Sequence, residues 1–370
     1  MKQLRIVALE GDGIGVDVVP AATRLLRRAA DHLGRRGVGL VLHEMSVGLQ
    51  AYEREGSTLP AETFAAIAGS DGAVLGPVMN HTYRLDEPGM LNPSKELRKR
   101  LELFANVRPA HYWQSLGRGR DGVDLVIVRE NTEGFYSDRN VLDGNGELRP
   151  DADTVMSVRV VTRKASTRVA RAAFELARQR GGKKKVTLVH KANVLRKGCG
   201  LFLEACRDVA RAYPDVSVDD LHVDAMAMEL VMRPERFDVI VTTNLFGDIL
   251  SDLAAGLVGG LGMAPGLNVG NDLAVAQAVH GAAPDIAGSG KANPVAVILS
   301  TAMLLRWLAQ RHAEPALNAT AVAIESAVAV ALSEESNLTP DLGGSATTKD
   351  LGDAIERAFE RQMTASAADA

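Results

Sequence analysis

The chain has 370 residues, 46% of them hydrophobic and 24% charged, with a formal charge of −4; it carries no basic excess of the kind nucleic-acid binding needs, and it is too long for one ordinary core, so two domains or one large α/β domain with an insertion is expected. Cys199 and Cys206 lie seven apart in a helical-looking segment, stripe neighbours rather than a disulfide framework or a metal pair, which points to a reducing cytoplasm. The N-terminal MKQLRIVALEGDGIG runs straight into a strand without a charged leader, and no apolar stretch reads as a membrane span, so export and membrane embedding are not expected.

Strand and helix signals then alternate along the chain. Residues 5–9 read as a strand, 16–33 as a helix, 38–43 and 72–75 as strands, 94–103 as a helix and 124–128 (DLVIV) as a further strand. Residues 141–150 have turn chemistry beside strand-like 154–161, which predicts a protruding hairpin, possible equally as an ordinary surface feature. A helix over 166–180 and a strand over 186–189 follow. Residues 238–243 (DVIVTT) are apolar and β-branched, as in a central parallel strand, and the helix after them is expected to open at Asp248. Residues 364–370 read as a frayed tail. The alternation predicts an α/β fold with a mostly parallel sheet.

Asp248 and Asp252 stand one helical turn apart and project from one face. Such a pair suits a divalent cation, and it equally suits a helix N-terminus through the dipole. The stretch continues through Gly256, Gly259, Gly260 and Gly262 to Pro265, with glycines where backbones must approach closely. This string resembles the signature of the isocitrate/isopropylmalate dehydrogenase family, metal-dependent β-decarboxylating dehydrogenases that oxidise malate-like 2-hydroxy acids. The resemblance runs from Gly11 to about residue 348. It implies a two-domain isopropylmalate dehydrogenase-like fold of mostly parallel sheets flanked by helices. Residues 1–105 and 255–370 would form the nucleotide-side domain. Residues 106–254 would form the dimerisation and substrate domain, with a β arm near 137–162 that clasps a second subunit.

Three arginines, Arg98 in LNPSKELRKRLEL, Arg108 in FANVRP and Arg129 in VIVRENTEGFY, present guanidinium forks that fit carboxylates. Arg129 ends an apolar strand, where parallel sheets collect ligands. The resemblance implies that all three grip the malate part of the substrate. It also implies that Tyr136 and Lys191 are the catalytic pair, with Asn193 orienting the site: Lys191 would act on the substrate hydroxyl and Tyr136 would protonate the enol carbon. Asp224 is expected as a third ligand beside Asp248 and Asp252 for Mg2+ or Mn2+, although its position also suits a helix N-cap. In the family the counterparts of Asp224 and Lys191 come from the neighbouring subunit, so a homodimer or higher homo-oligomer with shared active sites is expected.

The loop of Gly11, Gly13 and Gly15 lacks the third glycine of the dinucleotide fingerprint, since Val16 stands there. The family's nucleotide loop matches His280, Gly281, Asp285 and Ile286, followed by Asn293. A carboxylate at Asp285 accepts hydrogen bonds from both ribose hydroxyls and repels a 2′-phosphate, so NAD is expected. The implied reaction is oxidative decarboxylation of a 3-substituted D-malate to a 2-oxo acid, CO2 and NADH. Asn92 and Ser94, one turn before Arg98, make an isocitrate- or homoisocitrate-like polar substituent the favoured substrate, although Asn92 before Pro93 is also good capping chemistry. The alternatives are a 3-isopropylmalate, tartrate or D-malate dehydrogenase of the same family and, outside that chemistry, a non-catalytic regulatory subunit or a metal-dependent hydrolase.

Overall fold

A computed structural model describes residues 2–136 and 146–368. One ten-stranded sheet crosses the molecule. Its strands are β1 (Lys2–Leu9), β2 (Val38–Met45), β3 (Gly72–Leu75), β4 (Ala105–His111), β5 (Asp124–Glu130), β8 (Lys185–His190), β9 (Ser217–His222), β10 (Val239–Thr242), β11 (Leu267–Val269) and β12 (Ala274–Ala276), and β6 (Glu147–Asp151) with β7 (Thr154–Ser157) forms a separate pair. The order is β2-β1-β3-β12-β11-β4-β5-β10-β8-β9. Both ends pair parallel, and antiparallel pairing is confined to the centre, from β12 through β11 and β4 to β5. Every residue of β3 and β10 is buried, which is why these strands are continuous apolar runs rather than alternating ones.

The helices are α1 (Gly15–Arg35), α2 (Leu49–Glu55), α3 (Ala61–Ala68), α4 (Pro93–Arg100), α5 (Arg163–Gln179), α6 (Gly198–Ala210), α7 (Val223–Met232), α8 (Asn244–Leu257), α9 (Val295–His312), α10 (Pro315–Leu332) and α11 (Thr348–Ala368). Two apolar clusters draw their buried members from residues 4–116 and 263–363, the larger around α1, α9, α10 and α11 and the other including Ile67 of α3 and Leu97 of α4. Two more lie within residues 104–258, on the faces of β5, β10 and β8. The α/β, largely parallel architecture read from the alternation is therefore present.

Several boundaries differ from expectation for local reasons. α4 ends at Arg100 rather than at residue 103, because Glu102 takes a left-handed φ of 47° and Leu103 N donates back to Arg98 O at 3.0 Å. The exposed β6–β7 pair turns at residues 152–153, where Asp153 N donates to the Asp151 carboxylate at 2.9 Å; Glu147 to Pro150, expected in the turn, belong to its first strand. Residues 137–145, on which part of the expected arm and turn falls, lie outside the described residues. The stretch expected to fray is helical to Ala368. α10 is long and apolar enough to cross a bilayer, a feature the sequence reading passed over, and its Leu317, Ile324 and Val328 pack into the core.

Candidate active site

α8 begins at Asn244, so Asp248 and Asp252 fall in its second and third turns and no acidic residue occupies the first. The helix-dipole account of these two carboxylates loses its ground, since the effect fades beyond the first turn. Gly247 is why the turn can sit here: a Cβ on it would lie 2.7 Å from Cβ and Cγ of Arg129. The glycine lets the Arg129 stem run under the helix. Arg129 Nε and Nη2 both donate to Asn244 Oδ1, at 3.0 and 2.6 Å, and Nη1 pairs with Asp248 Oδ1. From the neighbouring strand, Arg108 Nη1 reaches Asp248 Oδ1 at 3.0 Å and Ser251 Oγ at 2.7 Å, and lies 3.8 Å from Asp252 Oδ1. The Tyr136 hydroxyl donates to Asp248 Oδ2 at 2.8 Å.

Asp248 thus supplies the negative charge that balances two buried guanidinium groups, a role the sequence reading did not anticipate. Burial pushes its carboxyl up, but Arg129, Arg108, the Tyr136 hydrogen bond and Arg98 outweigh burial and hold it below the usual carboxylate range. Asp252 moves the other way, raised by burial and by Asp248 against the pull of Arg108. Arg108 is pushed down to about 10 by burial and by the repulsion of Arg129, and so stays charged at neutral pH. Two carboxylates, one held low and one raised, with three arginines around them, offer the charge pattern that a small polyanion together with a hard cation would need.

Arg98 approaches from α4, with Nη2 3.5 Å from Gln277 Oε1. Ser94 is buried and its Oγ accepts from Gln277 Nε2 at 3.0 Å. Asn92 is the N-cap of α4, its Oδ1 accepting from Lys95 N at 2.9 Å, with Pro93 in the first position; the capping chemistry read from the sequence is therefore in use. Gln277, just past β12, was missed. Its signal was a polar residue closing the buried run AVA, the strand-end position at which Arg129 was found.

Lys191 and Asp224 are brought to each other, Nζ to Oδ1 at 2.5 Å, at the ends of β8 and β9, with Asp224 held below its ordinary value chiefly by that hydrogen bond. Asp224 lies in the first turn of α7, whose N-cap is His222, so it is not the cap that its position allowed. Asn193, two residues after Lys191, is exposed. Among the described residues no three acidic, histidine or cysteine side chains converge as a cation site within the chain.

The nucleotide-loop residues form a separate group. Burial lowers the His280 pKa and keeps the ring neutral; with Nδ1 donating to Gly281 O at 3.0 Å, Nε2 is a buried acceptor with no hydrogen-bond partner. An orphaned acceptor there fits the exocyclic amine of a purine. Gly281 and Asp285 are exposed and Ile286 is half-buried. Gly13, in the loop that misses the dinucleotide fingerprint, and its neighbours brace this loop: Ile14 N donates to Ala282 O at 2.8 Å, a Cβ on Gly13 would fall 2.0 Å from that oxygen, and Asp17 accepts from Gly288 N at 2.8 Å. Asn293, expected at the adenine, uses its side chain inside the protein, accepting from Val295 N and donating to Asp341, both at 3.0 Å.

The family model described as isocitrate/isopropylmalate dehydrogenase matches residues 5–355. The chain is 47% identical over 356 residues to the isocitrate/homoisocitrate dehydrogenase of Thermus thermophilus, covering 96% of this chain and 98% of that protein. It is 43% identical over 351 residues to the 3-isopropylmalate dehydrogenase of Archaeoglobus fulgidus, covering 95% and 98%. Among solved structures, isocitrate dehydrogenase from Methylococcus capsulatus matches with a TM-score of 0.81 at 42% identity, over 97% of this chain and 99% of that one.

Proposed function

Given that the chain belongs to the isocitrate/isopropylmalate dehydrogenase family, we propose that it oxidises a 3-substituted D-malate with an acidic or polar substituent, using NAD and Mg2+ or Mn2+, and releases a 2-oxo acid, CO2 and NADH. The observation that carries this reading is the convergence of Arg108, Arg129 and Tyr136 on Asp248, with the charge of Arg98 acting on the same carboxylate. When bound, NAD accepts the hydride from C2 and the cation withdraws electron density from the hydroxyl and from the enolate left by CO2. The protein's own groups do the rest. Arg98, Arg108 and Arg129 hold the substrate carboxylates; Tyr136 delivers its phenolic proton to the enol carbon, kept in place until then by its hydrogen bond to Asp248.

Asp248 and Asp252 offer hard oxygen ligands, and Asp224 completes the set from a second subunit together with Lys191, which takes the hydroxyl proton. Two features support this sharing. Lys191 and Asp224 pair with each other within the chain. Met228, Val231 and Met232 of α7 and Ile249 of α8 are exposed large apolar side chains, a face suited to a second copy. In this reading residues 1–105 with 255–370 form the nucleotide-side lobe and 106–254 the dimerising one. The buried, unpaired Cys199 and Cys206 suit a reducing cytoplasm.

The test is NADH production from a panel of isocitrate, homoisocitrate, 3-isopropylmalate, D-malate and tartrate with NAD and Mn2+. Isocitrate and homoisocitrate, whose 3-substituent carries a further carboxylate, are expected to give the highest kcat/KM. A best rate on 3-isopropylmalate, the substrate in the A. fulgidus relative's name, would overturn the substrate assignment, and no NADH from any of them would overturn the activity. For the cofactor, Asp285→Lys with Ile286→Tyr is expected to shift the NADP/NAD ratio of kcat/KM upward by about two orders of magnitude, since a charge-assisted hydrogen bond contributes roughly 1.5–3 kcal/mol. Preference of the wild type for NADP would show that Asp285 does not set the choice.

A further inference from the structure

Lys191 and Asp224 sit just past the ends of β8 and β9, and one buried side chain reaches both ends. The two strands pair in parallel with His190 level with His222, so the chain leaves the sheet at Lys191 and at Val223 side by side. The His190 and His222 rings meet edge to face, with centroids 5.4 Å apart at 84°. His190 itself is only 2% exposed.

The tautomer of His190 can be read from its partners. The backbone N–H of Ala192 only donates, so His190 Nδ1, 3.0 Å away, is the bare acceptor. The ring proton then lies on Nε2 and is donated to Asp220 Oδ2 at 3.1 Å. Asp220 is kept an anion: burial pushes its carboxyl up, but the bonds from His190 and from Arg207, whose Nη2 donates to Oδ1 at 2.7 Å, outweigh burial and hold it below the usual carboxylate range. With both nitrogens engaged inside the protein, His190 has none left for a substrate. Its bond with Ala192 N closes the backbone around Lys191, and beyond it Lys191 O accepts from Val194 N at 3.1 Å and Leu195 N at 2.8 Å. Lys191 therefore stands on backbone fixed before and after it, and Asp220 joins that turn to β9, two residues before the strand ends at His222.

We propose that His190 is the positioning residue of the Lys191–Asp224 pair: with its tautomer fixed, it ties the turn that carries the lysine to the strand end that carries the aspartate, so that both are presented as one preassembled unit. This rests on the reading that Lys191 takes the hydroxyl proton and that the pair serves the site of a second subunit.

The first measurement compares kcat and KM of the wild type, His190→Leu and His190→Asn. Leucine removes both ring bonds and is expected to lower kcat about 10- to 100-fold, the scale at which a reacting group displaced by an ångström is felt. KM should change little, because Arg98, Arg108 and Arg129 are untouched. Asparagine is expected to recover most of the loss, since its side-chain oxygen can accept from the N–H two residues on, as in an Asx turn, and so replaces Nδ1 at Ala192 N. A role confined to stability would move Tm without this split. Unchanged kcat in His190→Leu, or a loss that falls on KM, overturns the proposal.

Subunit mixing then locates the lesion. Mixed with Asp252→Asn, His190→Leu should reach about a quarter of wild-type activity, as Lys191→Met should. Mixed with Lys191→Met it should stay no higher than His190→Leu alone. If Lys191→Met recovers with Asp252→Asn and His190→Leu does not, the proposal falls and the shared sites stand. Exchanged dimers in which neither recovers overturn the shared sites, and the kcat split with its rescue by asparagine then decides on His190. If His190→Leu does not fold, Asp220→Ala, at a half-buried position, frees the ring from β9 and carries the same two measurements, with a smaller loss of kcat expected.

Discussion

Asp248→Asn is expected to abolish turnover and to lower Tm, whereas Asp252→Asn is expected to abolish turnover with Tm unchanged. The two carboxylates are one turn apart and would ligate the same cation, so removing either ligand, or adding EDTA, should cut kcat by about three orders of magnitude, the scale at which lost charge stabilisation of a transition state is felt. Their structural surroundings differ. The Arg129 side chain is only 2% exposed and the Arg108 side chain 8%, and Asp248 is the carboxylate that meets both at hydrogen-bond distance. Taking that charge away leaves two like charges facing each other out of water. Breaking a fully buried pair in this way costs about 3–5 kcal/mol; because the Asp248 side chain is 33% exposed, about 1–3 kcal/mol is expected. Asp252 is 56% exposed with one contact at 3.8 Å, and exposed pairs of that kind contribute little. Full activity in either variant removes the ligand assignment. An unaltered Tm in Asp248→Asn would mean that Arg108 and Arg129 are satisfied without it.

That contrast also separates what was legible in the sequence from what was not. Arg129 could be placed because an apolar β-branched run ending in a charged residue is a local pattern, and Asp248 and Asp252 because i and i+4 share a helix face. The pairing of Arg129 with Asp248 joins positions 119 apart and depends on β5 and β10 being neighbours in the sheet, which no local window contains. The position of α8 depended on one residue, since Asn244 rather than Asp248 opens it. Asn293 is expected at the adenine because its motif says so, and the bond of its amide to Asp341, from a different segment, is invisible in that motif. Gln277 sits in a plain-looking strand end, and only the antiparallel centre of the sheet, which carries Asn268 and Asn106 side by side, gives it partners. The chemistry-bearing residues are thus local signals, while the charge balance and hydrogen-bond direction that make them a site are properties of the fold.

Mixing two inactive variants, Lys191→Met and Asp252→Asn, is expected to restore activity. Lys191 and Asp224 pair at the ends of β8 and β9, while Asp248, Tyr136 and the arginines assemble around α8. If each site takes its Lys191 and Asp224 from one chain and its remaining groups from another, a mixed dimer has one site with both lesions and one with neither. Random exchange makes half of the dimers mixed, each with one intact site, so about a quarter of wild-type activity should return. Asp252→Asn is the better partner than Asp248→Asn, because its single long contact with Arg108 leaves the buried charge cluster undisturbed. Sites built within single chains predict the opposite, since every site in every mixture would carry a lesion. Native mass spectrometry that shows exchanged dimers in a mixture without activity would therefore place Lys191 and Asp252 in the same site of the same chain.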